Sequence, residues 1–202
     1  MANTFAPNGF SFYRGTGATP TNEQVPAVVA AATANIFQND PVFRLSTGDI
    51  AGVTTGPGPG TGILAGIFLG CDYLSVVNKR RTWSNWWPGT DTAAGTFSNV
   101  KLINDPNAQF YCQVGGSTTT GFVQADLGQN FQFAYGTGTT SNGISGAYAD
   151  ESVARAATTT LPFRVVQLVT DPPGANGTAT GPYTAIIAAF VNVETKTLAG
   201  AL

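Results

Sequence analysis

From residue 36 onward the chain alternates between short apolar runs and clusters of Gly, Thr, Asn, Asp and Pro. Runs of this length, rich in β-branched and aromatic residues and bounded by turn formers, predict strands. PVFRLSTGDIAGV (41–53) reads as short strands around a Thr47-Gly48-Asp49 turn, and TTGPGPGTG (54–62) as a loop. GILAGIFLGCDYLSV (62–76) is the most apolar run. Its β-branched and aromatic residues and its three glycines argue for a buried strand over a helix. Asn78-Lys79 predicts a hairpin turn, with RRTWSNWW returning as the partner strand. NVKLI (99–103) and AQFYCQV (108–114) predict two more strands, and Gln132 between Phe131 and Phe133 fits a half-exposed one. LPFRVVQLVT (161–170) and PYTAIIAAFVNVE (182–194) predict a closing hairpin joined by DPPGANGTATG. DESVARAA (150–157) predicts one short helix, because its acidic start suits a helix N-terminus.

Residues 1–35 follow a different pattern. Pro7, Gly9, Gly15, Gly17, Pro20 and Pro26 interrupt any regular element, yet Phe5, Phe10, Phe12 and Tyr13 need cover. An extended arm satisfies both, lying either on a neighbouring molecule or back on its own domain. The expected architecture is therefore mainly β: an antiparallel β-barrel or sandwich-like domain over 36–202, with long Gly/Thr-rich loops, one short helix and an extended N-terminal arm over 1–35. At 202 residues such a chain buries enough surface to fold without a disulfide or a metal.

Composition changes this picture in one respect. Charged residues make up 10% of the chain, against about 25% in ordinary domains. A charge-poor exterior costs less to dehydrate and suits burial against partners. The net charge of −2 gives no reason to expect nucleic-acid binding, and no apolar run reaches the ~20 residues needed to span a bilayer. The N-terminal MANTFAPNGF lacks the basic-then-apolar pattern of an export signal.

The chemistry-bearing residues are sparse. Histidine is absent, so no imidazole base and no histidine metal ligand exists. Nucleophile-elbow, phosphate-loop and zinc spacings are also missing. Cys71 and Cys112 read as reduced, buried small hydrophobes. Asp72 and Asp91 are the acids whose change would test any hydrolytic activity. We expect no enzyme, no cofactor and no metal. All three tryptophans (Trp83, Trp86 and Trp87) fall within TWSNWWPGTDT, after the basic run Lys79-Arg80-Arg81. By alternation Trp83 and Asn85 face one way and Ser84 and Trp86 the other, so Trp86 and Trp87 cannot both point inward on a regular strand. The tryptophans are either a core layer or a contact surface, and the basic run either a docking tip or a solvated one.

The central segment resembles a family of small structural proteins of tailed bacteriophages. That family carries a strand of the form GVFxGCxY, then S-x-Y/W-W-P, then DDPxxxFEVQ. Gly66, Phe68, Gly70, Cys71 and Tyr73 match the first part; Ser84, Trp87 and Pro88 the second; Asp105, Pro106, Phe110, Gln113 and Val114 the third. Tyr111-Cys112 replaces a polar–apolar pair, and the basic run and the 54–62 loop depart from the family. APNGF with Arg14, NDPVFRLSTGDI and STTTG agree more loosely. The resemblance implies a capsid cement, or decoration, protein on the virion exterior, made in the bacterial cytoplasm. It also implies binding to the major capsid protein and association with itself as a homotrimer, without catalysis. The residues expected at such contacts are Phe5, Phe10, Phe12, Tyr13, Lys79, Arg80, Arg81, Trp83, Trp86 and Trp87. The alternative is a carbohydrate- or host-binding module of a fibre or lectin-like sandwich, with exposed tryptophans stacking on sugars.

Overall fold

Alternation along QFYCQVG sends Phe110, Cys112 and Val114 to one side, and all three are buried. In the computed structural model, which describes residues 3–15, 23–29, 34–52, 63–93, 98–117, 120–169 and 181–196, this segment is the hub of the first of two sheets. The strands are β1 (Ser11–Arg14), β2 (Glu23–Ala27), β3 (Pro41–Arg44), β4 (Ile50–Ala51), β5 (Leu64–Leu74), β6 (Arg81–Ser84), β7 (Ser98–Ile103), β8 (Gln109–Gly115), β9 (Asn130–Ala134), β10 (Tyr148–Asp150), β11 (Phe163–Leu168) and β12 (Ala185–Phe190).

One edge of β8 carries β12, and the other carries β1 and, further along, β10. β12 continues to β11, β11 to β9, and β9 to β10. The path thus returns to β8, and β8, β12, β11, β9 and β10 close on themselves as a small barrel. Closure removes the exposed edges that an open sheet must otherwise protect. Every rung is antiparallel except the parallel pairing of Ala149–Asp150 with Val114–Gly115. A phenylalanine core fills it. Phe163 stacks on Phe131 at 5.8 Å and on Phe190 at 5.5 Å, and Phe110 meets Phe190 edge-on at 4.8 Å.

The second sheet runs β2-β7-β5-β3-β4, with β6 beside the far half of β5. It is apolar on both faces. Phe43, Leu64, Ile67 and Ile103 join the barrel core. Val42, Phe68, Cys71, Tyr73, Val100 and Leu102 face away, into a smaller core with Val29, Ile36, Ile50 and Trp87. This explains the unbroken apolar run in the β5 sequence, since a strand buried on both faces has no polar side to show. Gly66 marks a register shift beside β3. A Cβ there would sit 2.5 Å from the Ile103 carbonyl oxygen, at a φ of +151° that disfavours other residues.

Two expectations change, the helix at DESVARAA and the contact role of Phe10. DESVARAA is not helical: it begins as the end of β10 and continues in bends, because Asp150 turns back on itself to accept from the Ser152 N–H (2.9 Å) and hydroxyl. Among the described residues the helical element is a 3-10 turn at Gln124–Asp126. Where described, the N-terminal segment takes the second of its two expected courses and pairs with its own domain, β1 with β8 and β2 with β7. Phe10 is fully buried, stacked on Phe163 at 4.3 Å, so this ring belongs to the core and not to a contact surface. The 54–62 loop and nearly all of DPPGANGTATG lie outside the described residues. The closing hairpin is present as β11–β12.

Residues 34–40 tie the two sheets together. Phe10 N–H donates to the Asn39 carbonyl (2.9 Å), Phe68 N–H to that of Asp40 (2.8 Å), and Gln38 N–H to that of Gly143 (2.9 Å). The buried Asp40 carboxylate accepts from Phe37 N–H (2.8 Å) and from the Ser145 hydroxyl. Burial pushes this carboxyl up to about 6, against the lowering pull of its Ser145 and Phe37 hydrogen bonds.

A raised carboxyl binds its proton more tightly folded than unfolded. That contribution is complete below the ordinary carboxylate range and is lost as pH rises through about 6. Denaturation between about pH 5 and pH 8 should show native stability falling relative to Asp40→Asn, by on the order of 1 kcal/mol across the window. Phe10→Ala should cost about 3–5 kcal/mol by the same measurement, as expected for emptying a filled aromatic site.

Candidate partner-binding surface

The β5–β6 hairpin pairs Cys71 with Ser84, Asp72 with Trp83, Tyr73 with Thr82 and Leu74 with Arg81. Strand alternation therefore places Gly70, Asp72, Leu74, Arg81 and Trp83 on one face. Cys71 and Tyr73 occupy the other, inside the second core. The turn comes where Asn78-Lys79 predicts it, with Lys79 in the left-handed region (φ 55°).

The tip is highly exposed and partly apolar. There Val77 is 77% exposed and Val76 41%, while Trp83, further along β6 opposite Asp72, is 58% exposed. Lys79, Arg80 and Arg81 are also exposed. Arg81 Nε lies 3.2 Å from Asp72 Oδ2, whereas among the described residues Lys79 and Arg80 make no ion pair. The Trp83 ring lies over Gly70: a Cβ at Gly70 would come within 3.2 Å of it. Glycine there gives the indole a flat seat.

Asp91 holds this tip in shape. Its carboxylate accepts from Val77 N–H (2.9 Å) and from the Ser75 hydroxyl (2.8 Å), and its carbonyl accepts from Val76 N–H (3.1 Å). Ser75 Oγ in turn accepts from Asn78 N–H (2.9 Å). The Val77 amide, followed by the Ser75 hydroxyl, holds the Asp91 carboxyl below its ordinary value. A six-residue connection thus has its polar groups matched by one side chain from the following turn.

The tryptophans divide three ways. Trp83 faces outward. Trp86 is half-buried and stacks on Phe37 at 5.9 Å and 13°. Trp87 is buried edge-on to Tyr73 at 6.0 Å, with its N–H donating to the Ile36 carbonyl at 2.7 Å. Trp87 therefore packs in the molecule's own core and offers no contact surface. β6 ends at Ser84, so strand alternation stops before Trp86, and both rings find cover on the 34–38 segment.

The N-terminal aromatics also divide. Phe12 is half-buried, edge-on to Phe110 at 6.4 Å. Phe5 packs against Tyr148 and Tyr183 and stays 41% exposed, while Tyr13 is 53% exposed with Arg14 5.8 Å from its ring centroid. Composition and spacing did not single out Val76, Val77 or the clamping role of Asp91. The signal available was SVVNKRR, two β-branched residues directly before a turn, where polar residues are usual.

Other places hold less. A cavity of about 320 Å³ is lined by Phe37, Asp40, Tyr135, Gly136, Thr137 and Gly138. Two of its polar side chains are engaged internally, Tyr135 donating to the Pro41 carbonyl and Asp40 bonded as above. Cys71 and Cys112 are free thiols, and burial pushes that of Cys71 up to about 12. Among the described residues no group of three or more Cys, Asp or Glu is placed to hold a metal ion, and no helix is long and apolar enough to cross a membrane. No protein-family model matches the chain, and no curated protein or solved structure matches it either.

Asp91→Asn should loosen the tip while leaving the barrel intact. Amide exchange at Val77 is expected to accelerate several-fold, with the exchange of Phe110 and Phe131 unchanged. Because the Asp91 carboxyl is depressed, the native protein should show the same local loosening as pH falls below the ordinary carboxylate range, and not as pH rises.

Proposed function

We propose that this chain is a structural virion protein: a capsid cement protein that binds the outer surface of the major coat-protein lattice as a homotrimer and stabilises the phage head. The observation that carries this reading is the pre-shaped, exposed hairpin, with Val76, Val77 and Trp83 outward on an exterior otherwise poor in charge. Large apolar groups held out on a rigid element suit burial against a partner, since ordering them beforehand reduces the entropy lost on binding. The acids offered as tests of hydrolysis have structural tasks, Asp72 in an ion pair and Asp91 as the clamp. The reading places the protein on the virion exterior after synthesis in the host cytoplasm, with neither nucleic acid nor membrane as its partner.

The exposed Trp83 indole also suits a second reading, a module that stacks on carbohydrate. Against this, the polar groups that share its face, Asp72 and Arg81, are paired with each other, which leaves few groups to orient sugar hydroxyls.

Heads assembled without this chain and then mixed with it should take it up and resist heat better. Trp83→Ala should leave the melting temperature of the free protein nearly unchanged and weaken uptake by roughly tenfold or more, the range of a tryptophan at an interface centre. Undiminished uptake would remove the hairpin from the contact. Binding to host polysaccharide with no uptake by heads would favour the carbohydrate reading.

A further inference from the structure

The charges of the tip define what it docks on. Arg81 is balanced by Asp72, whereas Lys79 and Arg80 project at the turn without a counter-ion among the described residues. Both share the 75–80 connection with the exposed Val76 and Val77, and the exposed Trp83 follows on β6, opposite Asp72. A complementary surface must therefore supply carboxylates next to an apolar hollow.

A second copy of this chain is poorly equipped to do so. Among its described acids, Asp72, Asp126 and Glu194 pair with arginines. Asp40 and Asp150 are buried. Asp91 clamps the tip, Asp49 accepts from the Thr47 hydroxyl, Asp105 accepts from Asn107 N–H, and Glu151 accepts from Gly121 N–H and the Thr120 hydroxyl. Nucleic acid fits no better: two cations neutralise too few phosphates, and the apolar groups would find no cover on a phosphate backbone.

We infer that the β5–β6 hairpin docks as a preformed unit onto an acidic and partly apolar surface of a different protein, with Lys79 and Arg80 supplying the charge recognition, Val76 and Val77 the apolar contact at the tip, and Trp83 a further apolar contact along β6. This deepens the cement reading and rests on it only for which protein carries that surface. Charge at the rim chiefly speeds encounter and selects the partner, while the apolar contacts hold it. Arg81, tied to Asp72, contributes less to recognition than Lys79 and Arg80.

The test uses the full-length protein, a random Glu–Tyr copolymer as an acidic and aromatic probe, poly-Glu as a purely acidic one, duplex DNA, and phosphatidylcholine–phosphatidylserine vesicles. The copolymer should bind more tightly than poly-Glu. Its binding should weaken as NaCl is raised from about 50 to 300 mM, where screening shortens the reach of exposed charges. The double variant Lys79→Ala, Arg80→Ala should bind roughly three- to tenfold more weakly, the range for two exposed ion pairs. Its unchanged melting temperature shows that the fold is kept. Equal binding by the double variant, indifference to salt, or preference for DNA or vesicles would overturn the inference. Heads lacking this chain separate the two readings. Uptake that ignores the double variant leaves the cement role standing and removes the acidic partner. Salt- and Lys79/Arg80-dependent copolymer binding without uptake by heads does the reverse.

Discussion

The structure depends on the closure of the barrel through β8. Its seven residues pair with β12 along one edge and with β1 and β10 along the other. The parallel contact at Val114–Gly115 completes the ring. Without it, β9 and β11 would form an open sheet with a phenylalanine face in water. Closure converts that face into an interior where Phe110, Phe131, Phe133, Phe163 and Phe190 are buried together. Such burial is the dominant favourable term in folding, and close packing makes it sensitive to single side chains.

The second sheet is stabilised from both sides, and that makes it a platform. Its inner face completes the barrel core. Its outer face is covered by Val29, Ile36 and Trp87 from connecting segments. β5 is the longest strand and runs past the barrel, so its far half carries β6 out into solvent. A rigid root and an internally bonded tip give the hairpin a defined shape before any partner arrives. The joint at Asp40 holds the platform to the barrel through Phe37, Ser145 and the Phe68 amide, at the cost of burying a carboxyl.

Charge is used sparingly, and much of it is used internally. Arg44 makes two bonds to Glu194, at 2.8 and 2.9 Å, tying β3 to the chain that follows β12. Arg155 pairs with Asp126 at 2.6 Å and also lies over the Phe122 ring. These arrangements draw charge out of the exterior and into links between segments distant in sequence. Lys79 and Arg80 enter none of these links.

Local sequence carried most of the architecture. Alternation in QFYCQVG and NFQFA, the doubly apolar run of β5, the Asn78-Lys79 turn and the closing hairpin are all legible, because strand period and turn chemistry are properties of neighbouring residues. Reading DESVARAA as a helix failed because an acidic start is a weak signal, outweighed by the pairing of Tyr148–Asp150 with two other strands. The aromatics of the site were legible as a group and not individually. Whether Phe10 enters a core, Trp87 meets Tyr73 or Trp83 stays outside depends on where β6 stops and what lies across from it. By itself, then, the sequence determined a β-rich, charge-poor chain with its tryptophans beside a basic turn. Only the tertiary structure decided that the barrel closes, that Phe10 and Trp87 are core, that Val76 and Val77 stand at a tip held by Asp91, and that Trp83 stays exposed on β6. Those outcomes arise from contacts between residues far apart along the chain, which no local pattern encodes.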